Sequence, residues 1–214
     1  MPAPRPRGLS KSRFCIGLQC LRQLWWRVHE PDAAELRSSA SQQAVFERGT
    51  RIGELARAEF PGGVLVDREP FEVAEKVADT RGALDARAPA IFEASFDGGG
   101  VFAAVDVLER GAEGHVLVEV KGTLRVKEQY IPDVAVQLYT ARAAGLDVRR
   151  AELMHLNRAC AFPDLEDLFV REDVTAAAEA LQPSIPRQLD EMRAALDGPL
   201  PSVAPGAHCG EPYE

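Results

Sequence analysis

No apolar run in the 214 residues approaches the roughly 20 needed to span a bilayer, which excludes an integral membrane protein. The basic N-terminus is not followed by an apolar stretch of about 7–15 residues with a small-residue cleavage site, so no signal peptide is read. Four cysteines at uneven spacing do not make the disulfide framework of a secreted domain. Together these absences point to a cytoplasmic protein with no membrane partner. Lysine is scarce: among 25 basic residues only Lys11, Lys76, Lys121 and Lys127 are lysine. The accompanying excess of Arg and Ala suggests a GC-rich genome and says nothing about fold. No internal repeat is present.

Acidic residues are missing from the first 29 positions, which hold Arg5, Arg7, Lys11, Arg13, Arg22 and Arg27. The rest of the chain, with 19 basic against 33 acidic residues, carries a formal charge of −14. Such a body is a poor non-specific binder of nucleic acid by net field alone, although the basic segment can contact phosphates locally. Residues 1–8 read as a flexible basic leader. From Leu9 the pattern changes, because Ser10 can cap a helix carrying Phe14, Ile16, Leu18, Leu21, Leu24 and Trp25.

The spacing predicts a helix or helical pair over 9–29 and a second helix over 40–60, with Val45, Gly49, Ile52, Ala56 and Phe60 on one stripe. A short strand over 64–66 and a weaker helix over 70–86 follow. Strands over 90–96, 101–109 and 115–121 are joined by glycine-rich turns suited to hairpins. Pro132 fits the first turn of a helix ended by Gly145, and a strand over 149–156 precedes helices near 173–181 and 185–196. This order implies an α/β fold whose mixed central sheet is an antiparallel meander followed by one helical crossover. A single domain over 9–197 is expected, flanked by a helical N-terminal segment and, over 198–214, an irregular tail with Pro199, Pro201, Pro205 and Pro212.

The chemistry falls on the meander. Asp106 interrupts the apolar run Val101-Phe-Ala-Ala-Val-Asp-Val-Leu, and such a carboxylate is costly unless exposed, paired or bound to metal. The next strand reads Val116-Leu-Val-Glu-Val-Lys121, with Glu119 and Lys121 on one face and Val118 and Val120 on the other. A hairpin turning near Ala112-Glu113 sets Asp106 and Glu119 on neighbouring strands. Two carboxylates so placed repel unless a proton or a divalent cation lies between them, and their oxygens select hard ions such as Mg²⁺ or Mn²⁺. Lys121 beside them can orient a water or neutralise developing charge on phosphorus, and is expected to serve chemistry rather than stability. An exposed strand face carrying Glu-Val-Lys is the competing reading of the same residues.

Asp106 followed by Glu119-Val120-Lys121 resembles the PD-(D/E)XK nuclease superfamily in its RecB-like branch. Pro132-Asp-Val-Ala-Val-Gln137-Leu-Tyr139 is similar to the helical Gln/Tyr motif that follows the lysine there, although Tyr139 comes two residues after Gln137 where the branch has four. The resemblance implies a restriction-endonuclease-like core and a metal-dependent DNA nuclease acting in repair, recombination or defence. By it, Asp106, Glu119, Lys121, Gln137 and Tyr139 are catalytic, and Mg²⁺ (or Mn²⁺) is held by Asp106, Glu119 and the Val120 carbonyl. The branch carries a metal-binding His on an upstream helix; here Glu54 stands as its substitute, and Glu93 matches a strand position that lines the site.

The resemblance extends to the cysteines. Nucleases of this branch often hold a [4Fe–4S] cluster by one Cys before the core and three after it, matched here by Cys20 and Cys209. An uncharacterised bacterial family with this core continues past a Pro-Tyr-Glu with more cysteines and a further domain, so the chain ending at Glu214 reads as truncated, with an incomplete cluster. Cys15 and Cys160 read as small buried hydrophobes. The partners implied are DNA, single-stranded or with free ends, and a helicase or other nucleic-acid-processing protein. The alternatives are a non-catalytic DNA-binding or assembly module that keeps the nuclease fold, and an unrelated α/β metalloenzyme.

Overall fold

A computed structural model describes residues 8–204 and 206–209. Seven of the eight residues of the expected leader, and the stretch 210–214 with Pro205, lie outside the described residues. Ser10 accepts the Arg13 N–H and caps α1 (Lys11–Gln19), and Cys20, with extended backbone, separates it from α2 (Leu21–His29), so the N-terminal segment is a helical pair. A capping box of Ser39 and Gln42 starts α3 (Ala40–Ala56), and α4 is Val73–Asp85. Pro132 sits in the first turn of α5 (Ile131–Ala143). Helices α6 (Thr175–Leu181) and α7 (Ile185–Asp197) follow. No helix among the described residues is long and apolar enough to cross a membrane.

Among the described residues, one mixed sheet of seven strands runs β2 (Val64–Leu65), β3 (Ala90–Gly98), β4 (Val101–Arg110), β5 (His115–Lys121), β6 (Val148–Leu156), β7 (Phe169–Asp173), with β1 (Leu9–Ser10) added against β4. Strands β3, β4 and β5 form the expected antiparallel meander, and α5 crosses over to β6, which lies parallel to β5. Gly99 and Gly100, both at positive φ, make the tight β3–β4 turn that β-carbons would strain. Helix flanks on both faces of a mixed sheet are the α/β architecture expected from the sequence.

Two strands were not anticipated. β1 is only two residues long, and β7 is a largely exposed edge strand whose Arg171 pairs with Glu152 and Glu109 instead of showing an apolar face. The predicted stripe on α3 is realised in part. Ile52, Ala56 and Phe60 are buried, whereas Val45 is 58% exposed, because only the C-terminal half of α3 reaches the sheet. One core packs Leu24, Leu117, Leu138, Leu153, Leu189 and their neighbours between the sheet and α1, α2, α5 and α7. A smaller one packs Ala56, Phe60, Phe92, Val107, Val118 and Met154 on the opposite face.

Candidate active site

The site forms where the sheet comes apart. β4 and β5 pair from Arg110↔His115 to Val107↔Val118, and continuing that register would set Asp106 opposite Glu119. The ladder stops there. Val120 N–H, free of β4 backbone, donates to Asp106 Oδ2 at 2.7 Å. Further along the same edge β4 pairs instead with β1, Leu9 against Val101 and Ser10 against Phe102. A fork thus opens between β4 and β5, and Asp106 and Glu119 stand at its crotch.

On the other side of Asp106 the register from Phe92↔Val107 to Ala94↔Val105 places Glu93 opposite it, with no paired bridge at that position. Glu93 has φ +57, a strained conformation for a residue with a β-carbon. It lies 3.9 Å from Arg57 in a half-exposed ion pair. By register Glu93, Asp106 and Glu119 fall in one row across three strands, at the positions where the ladders are interrupted.

Leu117 belongs to the core under α5 while Val116 and Val118 belong to the opposite one, which puts Glu119 and Lys121 on the α5 face. There Glu119, 2% exposed, is surrounded by donors. Lys121 Nζ lies 2.6 Å from its Oε1 and Gln137 Nε2 2.7 Å from its Oε2. Lys11 Nζ stands 3.3 and 3.2 Å from the two oxygens. Asp133, one helical turn before Gln137 on α5, accepts from Lys121 at 2.7 Å and pairs with Lys11 at 3.4 Å. The Gln137 amide also donates to the Asp133 carbonyl and carboxylate at 3.1 and 3.2 Å, while its Oε1 is buried without a partner.

Proton affinities follow from this packing. Burial alone would raise Glu119, but Lys11 and Lys121 overcome it and hold the carboxyl well below its usual range. Asp106 goes the other way: burial, then the charge of Glu119, push it up to about 7 against the two lysines and the Val120 N–H. Burial alone would lower both lysines; the carboxylates, Glu119 foremost, outweigh it and keep them charged.

The remaining sequence-predicted residues lie elsewhere. Tyr139, two positions past Gln137 and so on another side of α5, sets its ring against Gly99 in the β3–β4 turn and is not brought to the carboxylates. On α3, Ile52 packs against Gly122 just past β5, and Glu54, two residues on, is turned away and exposed. The structure thus does not bring Glu54 to Asp106 and Glu119. Lys11 and Asp133 were missed from sequence. The scarcity of lysine and the spacing of Asp133 one turn before Gln137 were the available signals.

The donor set suits a hard, hydrated ion: two carboxylates and the Val120 carbonyl leave several positions for water, as Mg²⁺ prefers. No group of three His, Cys, Asp or Glu side chains among the described residues encloses a metal. The cysteines do not fit a four-thiolate cluster by themselves. Cys20 lines a pocket with His208 where the N-terminal helices meet the tail, and Cys209, next in sequence, is exposed; all four thiols are free. Cys15 and Cys160 are half-buried.

No protein-family model matches the chain, and no curated protein matches its sequence. Among solved structures it is similar to an alkaline exonuclease (LHK-Exo) from Laribacter hongkongensis, with TM-score 0.51 and 16% identity over 91% of this chain and 92% of that one. The same enzyme in complex with dAMP superposes with TM-score 0.49 and 16% identity over 90% and 91%. At this identity the likeness shows the fold: the chain has the nuclease-like α/β architecture of the alkaline exonuclease.

Proposed function

We propose that the chain is a metal-dependent DNA nuclease that hydrolyses phosphodiester bonds. The observation that carries this is the fork itself, where Asp106, Glu119 and Lys121 converge at the break between β4 and β5. The shared fold of an enzyme described as an alkaline exonuclease supports DNA as the substrate class. Asp106, Glu119 and the Val120 carbonyl would hold a divalent cation, Mg²⁺ or Mn²⁺, which when bound supplies a Lewis acid and a nucleophilic water. Gln137 fixes the Glu119 carboxylate from α5, and Asp133 holds the Lys121 ammonium beside it. Lys121 then stands where it can orient the attacking water and offset the charge developing on phosphorus.

Membership of the RecB-like branch, a helicase or other processing partner, and a cluster completed by ligands beyond Cys20 and Cys209 belong to this proposal on the resemblance of motifs. One observation favours a second reading, a non-catalytic DNA-binding module: two ammonium groups already neutralise Glu119, and no three His, Cys, Asp or Glu side chains among the described residues are grouped to hold a metal. Cleavage of end-labelled single-stranded and duplex DNA with Mg²⁺, Mn²⁺ or EDTA separates the two. Metal-dependent cleavage lost in Lys121→Ala supports the nuclease; DNA binding without cleavage under any metal supports the module.

A further inference from the structure

Two ammonium groups converge on Glu119, and they are held differently. Lys121 makes contacts of 2.6 and 2.7 Å, the lengths of committed charge-assisted hydrogen bonds. Lys11 is shared among three oxygens at 3.2, 3.3 and 3.4 Å and is bound closely to none. Lys121 and Gln137 already donate to both Glu119 oxygens at shorter range, so Lys11 adds attraction there without being the closest donor to either oxygen.

The placement of Lys11 is nonetheless built into the fold. β1 docks on the edge of β4 that β5 has left, and Lys11 is the next residue, so its side chain enters the fork directly. Ser10 caps the helix at that point, Phe14 one turn on is 1% exposed, and Gly17 lies close against Met192 of α7. An ordered helix thus delivers a loosely engaged ammonium to the carboxylates.

Charge balance says what it is for. Asp106, Glu119 and Asp133 are gathered around two lysines, so with all three carboxylates ionised the cluster is net negative and repels a phosphodiester. A divalent charge added to it makes the site net positive by one, the complement of one phosphate; without Lys11 the loaded site would be neutral.

We propose that Lys11 is a substrate-contacting residue: when the Glu119 carboxylate is neutralised or engaged elsewhere, the Lys11 ammonium binds a non-bridging phosphate oxygen of the nucleic-acid backbone. This rests on the nuclease reading and adds the residue that seats the phosphate. It predicts that Lys11 adds one phosphate contact that can be seen without metal and without turnover.

The test uses the full chain in EDTA, a fluorescein-labelled single-stranded oligonucleotide and anisotropy titrations at several salt concentrations. Glu119→Gln removes the charge that holds Lys11 and should bind DNA more tightly than wild type. Glu119→Gln/Lys11→Ala should bind about tenfold more weakly than Glu119→Gln, with the dependence of log K on log salt flatter by about 0.7, the value for one single-strand contact. Glu119→Gln/Lys11→Arg should retain most of both. Circular dichroism checks folding, and Lys11→Gln replaces Lys11→Ala if the latter does not fold. Equal Kd and equal salt slope with and without Lys11 in folded protein would overturn the proposal while leaving wild-type, Mg²⁺-dependent cleavage intact. A wild type that neither binds nor cleaves DNA would overturn the nuclease reading itself, and this inference with it.

Discussion

Asp106 and Glu119 stand at the position where β4 and β5 cease to pair, and the N–H released there, from Val120, is taken up by Asp106 at 2.7 Å. The same carboxyl group therefore stands at the end of a ladder, accepts the freed N–H and feels the charge of a second carboxylate. That charge opposes the hydrogen bond, because burial first and then Glu119 act against ionised Asp106.

Asp106→Asn and Asp106→Ala separate these roles. Both should lower cleavage by at least about 10²-fold, since even outer partners of metal ligands are worth 10–100-fold. In EDTA at pH 8 the Asn variant keeps an acceptor for Val120 and loses the repulsion from Glu119, so it should melt at or above wild type. The Ala variant leaves the Val120 N–H without its partner, at a cost of about 1 kcal/mol relative to Asn. Coincident melting curves for Asn and Ala would show that the Val120 bond holds nothing.

From sequence alone, Lys121 was expected to serve chemistry without supporting stability. The structure corrects that expectation, because its ammonium joins Glu119 and Asp133, both largely shielded from water. Breaking a buried pair commonly costs about 3–5 kcal/mol; with Lys121 22% exposed at its side chain and Lys11 remaining, Lys121→Ala should cost about 1–3 kcal/mol. Urea unfolding measures it, and a double-mutant cycle with Lys11→Ala should be non-additive because the two lysines share partners. An unchanged urea midpoint in Lys121→Ala would sink the claim. Its cleavage rate should still fall by roughly 10².

Much of this was legible because it is written in local pattern. Period-2 alternation through Val116–Lys121 gave β5 to the residue, Ser10 marked the start of α1, and Pro132 and Gly145 bracketed α5. What was not legible depends on distant pairing. β1 is a two-residue strand whose existence is decided by the gap that β5 leaves on β4, and Lys11 reaches Glu119 across 108 positions only through that gap. Asp133 looks like an ordinary first-turn acid of α5 until Lys121 is seen beside it. Tyr139 reads like a site residue by motif, yet its two-residue offset from Gln137 rotates it toward Gly99.

Acid sensitivity should show at His115. Burial lowers its pKa below the ordinary 6.5, against an opposing pull from Asp147, and neither ring nitrogen has a hydrogen-bond partner. A folded-state pKa depressed below the unfolded one contributes stability above about pH 6.5 that is lost as pH falls through the unfolded and then the folded value. His115→Leu should therefore narrow the loss of Tm between pH 7 and pH 5 and change little at pH 8. An identical pH profile in the variant would show that His115 is not the sensitive group.

The thiols should differ sharply in reactivity. Burial first, then the nearby Asp133 charge, push the Cys15 thiol up to about 12, so almost none of it is thiolate at pH 8. Cys209 is exposed at the end of the described chain, with its sulfur 3.7 Å from His208 Nε2. Iodoacetamide at pH 8 should label Cys209 quickly and leave Cys15 unmodified until the protein unfolds, as peptide mass mapping would show. Because Cys15 lies one turn past Lys11 on α1, its protection also reports whether that helix stays docked over the carboxylates. Lys11→Ala with Cys15 still protected would mean the helix is held by Phe14 and its apolar neighbours; Cys15 labelled as fast as Cys209 in the wild type would contradict the docking of α1 on the core.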